Sequence, residues 1–204
     1  MNKFAIIDFE TTGPTGSDDR AAEVGVVIVE GFRIVDRYSS LMNSGQSMSW
    51  VNQNLTGITD DMIQSAPSAN RVMKDVVKII NSYPLVAHWS SFDKRILDSE
   101  LKHIGRKRRQ GQEFLCTCLL GRRLYPEISK HRLEDLIIHT GIKNTGGLHR
   151  AGADAEHTAR LWIAMQRKLK KEHRLRSIPL ELLDMIQQTP KGSLGHVIRN
   201  YRMK

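Results

Sequence analysis

Two carboxylates, Asp8 and Glu10, stand two residues apart where the apolar run Phe4-Ala5-Ile6-Ile7 gives way to Thr11-Thr12-Gly13. Along an extended strand, residues i and i+2 share a face, so both acids project together while Ile7 and Phe9 turn the other way. Adjacent carboxylates beside apolar surface repel each other and lose hydration, a cost that cations placed between them remove. The pair is therefore a candidate metal site, although Asp-x-Glu alone equally describes a strand running into an acidic loop. Three more residues strengthen it. Asp93 follows the short apolar run Leu85-Val86-Ala87-His88, Asp154 opens a long helical pattern, and His149 precedes Asp154 by five residues. Each lies where a strand ends or a helix begins, although the helix dipole by itself favours a carboxylate at the position of Asp93.

The elements that must position these groups follow from periodicity. Phe4 to Glu10, Ala22 to Glu30 and Arg33 to Met42 read as three strands, with Glu30-Gly31 as a turn signal and an antiparallel meander as the simplest arrangement. Glu23, at the head of the second strand, is expected to be a hydrogen-bonded structural acid. Residues 43–54 read as irregular, and Thr59 as the cap of a short helix from Asp60 to Gln64. Behind Ser68, the residues Val72, Met73, Val76, Val77 and Ile80 mark one face of a helix. A buried strand over 85–88, a helix over 92–104, a strand over 113–117 and helices over 119–125 and 132–140 follow, with 143–147 as a flexible connector. From Ala151 a long helix places Ala155, Ala159, Trp162, Ile163 and Gln166 at a spacing suited to packing on a sheet. Ser177-Ile178-Pro179 breaks it, Leu180 to Gln187 forms another helix, and a basic segment over 195–204 ends the chain. A meander followed by alternating strands and helices implies an α/β fold, a mixed sheet covered by helices.

Composition narrows the partners. The chain has 204 residues and a formal charge of +9, but residues 1–100 carry 9 basic and 13 acidic side chains, net −4, against 22 and 9, net +13, over 101–204. Basic clusters at Lys102 with Arg106 to Arg109, at Arg122 with Arg123, and at Arg167 to Arg176 suit phosphate tracking, though each alone equally suits a solvated helix face. The two cysteines, Cys116 and Cys118, read as alternate residues of a strand, too close to bridge and too few for zinc, hence reduced packing residues. No export signal and no stretch of membrane-spanning length is evident, so a cytoplasmic protein without membrane association is expected. The division expected is a catalytic unit over 1–176 and a basic C-terminal extension over 177–204, and the charge asymmetry leads to the expectation that residues 167–204 strengthen binding.

Three segments in order then resemble one family. Asp-Phe-Glu-Thr-Thr-Gly at 8–13, Val-Ala-His-Trp-Ser-Ser-Phe-Asp at 86–93 and His-Arg-Ala-Gly-Ala-Asp-Ala at 149–155 closely resemble the three motifs of DEDDh 3′-to-5′ exonucleases. The nearest look is that of the proofreading epsilon subunit of bacterial DNA polymerase III and its stand-alone relatives, over about residues 4–165. The resemblance implies a ribonuclease H-like fold with a five-stranded mixed sheet, and two divalent cations, Mg²⁺ or Mn²⁺. Four carboxylates fit hard cations better than zinc. By similarity, Asp8, Glu10, Asp93 and Asp154 would hold the metals and His149 would be the general base, since a free imidazole, with a pKa of about 6.5, can accept a proton near neutrality. His157 is a weaker competitor, and His88 is expected to orient Asp93 or pack the strand end. Arg150 stands where the tyrosine branch of these enzymes has its base. Thr11, Thr12 and Gly13 would approach the terminal nucleotide, with Leu55, Thr56 and Phe92 as further substrate contacts.

One departure is visible: relatives usually carry Asn-Ala after the His of the second motif, where this chain has Trp89-Ser90. The reading implied is release of nucleoside monophosphates from the 3′ ends of single-stranded DNA, more readily than RNA, with a DNA polymerase or another replication or repair protein as a further partner. The alternatives are a small exoribonuclease and a catalytically weak, polymerase-associated nucleic-acid-binding module.

Overall fold

The computed structural model describes residues 3–13, 19–143 and 149–203. Three long strands open it: β1 (Lys3–Thr11), β2 (Ala21–Glu30) and β3 (Arg33–Leu41) form the expected antiparallel meander, with Gly31 in the left-handed conformation at the β2–β3 turn. Two short strands, β4 (Leu85–Ala87) and β5 (Phe114–Cys116), join parallel to β1, giving the order β3-β2-β1-β4-β5. The chain thus has the five-stranded mixed sheet with β1 at its centre.

Alternation along β1 sorts its side chains into two cores. Ala5, Ile7 and Phe9 face one layer, built with α3 (Ala69–Ile80) and α4 (Ser90–His103). Phe4 and Ile6 face the other, built with α5 (Thr117–Leu124), α6 (Leu133–His139) and α7 (Ala151–Glu172). Burial on both sides is why β1 and β2 read as near-continuous apolar runs. Trp162 of α7 is fully buried and meets Phe4 edge-on at 4.9 Å between ring centroids. The helices α8 (Leu180–Gln188) and α9 (Leu194–Arg202) add Leu182, Leu183, Ile186 and Ile198 to this same core, and the Gln187 side chain accepts a hydrogen bond from the Cys116 backbone.

Several sequence expectations need correction. Residues 50–56, read largely as irregular, form helix α1 (Trp50–Thr56), capped by the Ser49 hydroxyl and ended by Gly57 at φ 71°. Its Asn-rich composition and low propensity hid it, while caps and a tertiary anchor hold it. Thr59 does cap α2 (Asp60–Gln64), whereas Ser68 sits at the start of α3 without a side-chain capping bond. Cys116 ends β5 and Cys118 already lies in α5, so they are not alternate strand residues; both are free and buried. Most of the connector expected over 143–147 lies outside the described residues.

Replacing Trp162 with Ala should lower stability by about 3–5 kcal/mol, as for other large buried aromatics. A urea titration read by circular dichroism checks this.

Candidate active site

The site forms because β1 outruns its parallel neighbour. Only Ala5 and Ile6 pair with β4, which ends at Ala87, while β1 continues to Thr11. The Phe9 N–H on the uncovered edge is taken up by Asp93, whose Oδ1 accepts it at 3.1 Å across 84 residues of sequence. Asp93, buried in the first turn of α4, is thereby stapled between Asp8 and Glu10. Of the two roles the sequence offered His88, orienting Asp93 or packing the strand end, the structure shows the second. His88 Nδ1 lies 2.9 Å from the Thr117 hydroxyl and Nε2 lies 3.1 Å from the His131 carbonyl. Burial lowers its pKa to about 4, so it stays neutral, with the proton on Nε2 because a carbonyl can only accept.

Asp154 enters from the other side, on the first turn of α7. Its Oδ2 accepts the His149 N–H at 2.8 Å, and its Oδ1 is buried with no hydrogen-bond partner among the described residues. His149 has φ 66°, a left-handed backbone that bends the chain sharply into α7. Ligating atoms of Glu10, His149 and Asp154 come within 4.8 Å of one another, a grouping able to hold a metal ion. All five residues, Asp8, Glu10, Asp93, Asp154 and His149, line one cleft of about 290 Å³. His157 is not among its lining residues: it is 1% exposed, behind Asp154, with Nδ1 3.8 Å from Oδ1.

Two arginine–glutamate clasps hold the helices that deliver these acids. Glu100 of α4 accepts from Arg20 Nε and Nη2, at 2.8 and 2.9 Å, and from the Ala21 N–H. Glu23 of β2 accepts from Arg150 Nη2 and Nε, at 2.8 and 3.0 Å, and from the Ala151 N–H at 2.9 Å. Both pairs are bidentate, the geometry in which a guanidinium fixes orientation as well as charge. Glu23, expected to be a hydrogen-bonded structural acid, therefore sits under the start of α7, opposite Glu10 in the β1–β2 register. Gly25 completes the fit, since a Cβ there would lie 2.1 Å from the Ala151 carbonyl oxygen.

The electrostatics are those of a site short of cations. Burial first, then repulsion from Asp93, Asp154, Glu10 and Glu23, raises the Asp8 pKa well above the usual carboxylate range. Burial, with Asp154 and Glu23, pushes Glu10 up to about 8, partly opposed by Arg150. Asp93 is likewise raised, chiefly by burial. For Asp154 burial also raises the pKa, and the hydrogen bond from His149 opposes it. Divalent cations would relieve the same penalty, and Asp154 Oδ1, without a hydrogen-bond partner among the described residues and with only His157 Nδ1 at 3.8 Å, adds a further donor. The donor set thus fits hard cations.

Of the expected substrate contacts, only Phe92 lines the cleft, with the Arg95 guanidinium 5.5 Å from its ring centroid. Thr11 and Thr12 are buried; their hydroxyls contact the Gly13 carbonyl and the Gln46 side chain, respectively. The space beside Gly13 holds the Asp19 carboxylate. Thr56 is spent inside α1, donating to the Asn52 carbonyl, while Leu55 is 51% exposed on the same helix. The Asn52 amide donates to the carbonyls of Thr11 and Gly13, pinning α1 to the turn after the acidic pair. Trp89 forms part of the cleft wall at φ 62°, its indole N–H donating to Cys118 Sγ at 2.8 Å. Sequence reasoning missed Arg132, Leu133 and Glu134, which close the cleft from α6 without any motif signal.

The Exonuclease family model matches residues 5–162. The chain belongs to the exonuclease family. Asp8, Glu10, Asp93, Asp154 and His149, drawn from the three sequence motifs, are gathered in one cleft. The chain is 38% identical over 170 residues to the PolC-type DNA polymerase III of Oceanobacillus iheyensis, covering 83% of this chain and 12% of that protein. It is 37% identical over 162 residues to the Bacillus subtilis PolC-type polymerase, covering 79% and 11%. The chain thus spans about a tenth of the length of these curated relatives. Among solved structures it is similar to exonuclease X in complex with 5′ overhanging duplex DNA, with TM-score 0.70, 27% identity and coverage of 90% of this chain and 99% of that one. The nuclease domain of 3′hExo, a DEDDh family member bound to rAMP, shares the fold at TM-score 0.69 and 20% identity, covering 81% and 92%.

A carboxyl with a raised folded-state pKa favours the folded protein while protonated and loses that advantage as pH rises through the folded value. Without metal, the thermal midpoint should therefore fall as pH goes from about 6 to 9, through the Glu10 value of about 8. Millimolar Mn²⁺ should raise it most at the alkaline end, where ligands need not lose protons to bind. Scanning fluorimetry with EDTA or Mn²⁺ checks both.

Glu23→Ala should cost about 1–3 kcal/mol and slow turnover, because the start of α7 loses its anchor. Glu23→Gln, which still accepts hydrogen bonds, should recover much of each. Denaturation and steady-state kinetics of the two variants separate these outcomes.

Proposed function

We propose that this exonuclease releases nucleoside 5′-monophosphates one at a time from the 3′ ends of single-stranded nucleic acid, DNA in preference to RNA, using two divalent cations. The single observation that carries the proposal is the convergence of four desolvated carboxylates and an exposed histidine on one cleft with an aromatic wall. Such a constellation suits phosphodiester hydrolysis, where negative charge builds on the oxygens around phosphorus and a water must lose a proton. Paired Mg²⁺ or Mn²⁺, when bound, supply Lewis acidity at the phosphoryl oxygens and stabilise the leaving 3′ oxygen.

In this reading Asp8, Glu10, Asp93 and Asp154 would together hold the cations. His149 accepts the proton of the attacking water. Its exposure lets the ring reach solvent, while its backbone is fixed to Asp154. Phe92 and Trp89 offer apolar surface to a base without reading its identity, which suits removal of any nucleotide. Leu55, carried on α1, is a second such surface beside the turn of Thr11, Thr12 and Gly13. Residues 1–176 carry the chemistry in this account, and 177–204 form a basic extension packed on the same core.

The DNA preference is supported by the DNA-bound exonuclease X and the PolC-type polymerases among the similar proteins. The same relatives favour a replication or repair partner. No helix among the described residues is long and apolar enough to cross a membrane, and the reading needs no membrane.

With Mn²⁺ or Mg²⁺, purified protein should shorten 5′-labelled single strands stepwise from the 3′ end, DNA faster than a matched RNA. Asp8→Ala should reduce the rate by a thousandfold or more. Gel analysis of both strands decides: survival of activity in Asp8→Ala, or release of the 5′ label before shortening, overturns the mechanism, and faster RNA digestion overturns the substrate.

A further inference from the structure

A second cavity, of about 520 Å³, lies at the opposite end of α4 from the carboxylate cleft. Asp98, Lys102, Arg106, Lys107, Arg108 and Arg109 line it. The lone acid is already committed: Asp98 accepts from Arg108 Nε at 2.6 Å and lies 3.5 Å from Lys94 Nζ. Lys102, Arg106 and Lys107 have no acidic partner within 4 Å among the described residues, and all three are exposed. Three cations without an acidic partner among the described residues thus line one concavity. Arg108 is held in place by Asp98 and by its bond to the Gln112 carbonyl, so one wall of the concavity is built rather than loose.

The cavity is joined to the cleft by one helix. Phe92 lies in the cleft, Arg95 stands over its ring, and Lys94, Asp98 and Lys102 recur at spacings of four along the exposed side. From Phe92 to Lys102 the helix advances about 15 Å at its usual rise of 1.5 Å per residue. A stacked strand advances about 3.4 Å per nucleotide, so that distance corresponds to roughly four or five nucleotides. Charges at such a separation would be met by a polyanion held at the cleft and by nothing shorter.

We propose that α4 is a track for the part of the substrate strand upstream of the 3′ end, and that the cavity lined by Lys102, Arg106 and Lys107 clamps its phosphates. This rests on the exonuclease reading and adds where the chain of the nucleic acid runs. Contacts to phosphate carry no sequence information, as removal of any nucleotide requires. They also let the enzyme favour long strands over the short products it leaves.

The test is the triple variant K102Q/R106Q/K107Q, which spares Arg108 and every residue of the carboxylate cleft. Binding of fluorescent single strands of 3 and 20 nucleotides is measured by anisotropy in Ca²⁺ from 50 to 300 mM salt, and hydrolysis of both is followed in Mn²⁺. For the 20-mer we expect roughly tenfold or greater loss of affinity and a salt slope shallower by about 2, the value for three phosphate contacts to a single strand. Trinucleotide hydrolysis should be unchanged. An unchanged slope on the 20-mer, or equal losses on both lengths, overturns the track. Loss of inorganic phosphate binding with full 20-mer affinity would also overturn it, making the cavity a small-anion site. Wild-type protein that cleaves while the variant binds normally refutes this inference alone, whereas wild-type protein that neither binds nor cleaves refutes the exonuclease reading itself.

Discussion

A central strand that extends beyond its parallel neighbour is the constraint on which the site depends. Where β4 stops, the edge of β1 keeps its donors and its two carboxylates but loses its partner strand. A buried unpaired N–H is costly, and the Asp93 carboxylate answers it at Phe9. That bond satisfies the backbone and also places a third acid beside the first two. The third acid raises the electrostatic cost that Asp8 and Glu10 already bear, so the solution to one local problem deepens another. An arrangement of this kind persists only if the surrounding framework is stiff enough to hold it.

Stiffness comes from β2, which itself contributes no ligand. Just before its entry it is tied to α4 by Arg20 and Glu100, and three residues further on Glu23 receives Arg150 and the start of α7. One strand thus grips both helices that deliver acids to its neighbour. Each clasp buries a glutamate while the arginine keeps some contact with water, so neither ion is wholly desolvated without a partner. Both cores, on opposite faces of the sheet, press the same strands from either side.

Much of this was legible in the sequence because the candidate ligands sit at ends of elements with clear periodicity. Asp8 and Glu10 follow an unbroken apolar run, and Asp93 and Asp154 open helices, so local pattern placed them at element ends, while the resemblance to the three motifs singled them out as a set. What escaped were features fixed at long range. Helix α1 relies on the Asn52 amide reaching the carbonyls of Thr11 and Gly13, a contact that no window of sequence contains. Arg132, Leu133 and Glu134 reach the cleft because α6 is packed beside α7, and nothing in their own segment signals it. Histidine roles were equally opaque. From its place in the motif His88 could orient Asp93 or pack the strand end, and only the Thr117 hydroxyl and the His131 carbonyl, which claim its ring, decide for the second.

Gly25 shows how tightly architecture and chemistry are coupled here. Its missing side chain lets β2 touch the first turn of α7, in register with Asp8 on one side and against the Ala151 carbonyl on the other. Even a methyl group there would have to displace backbone, and the nearest backbone to yield belongs to the helix bearing Asp154. Drift at this position would thus move the helix that carries Asp154 while the rest of the molecule still looked intact, so the effect of a glycine in the sheet would surface at the cleft.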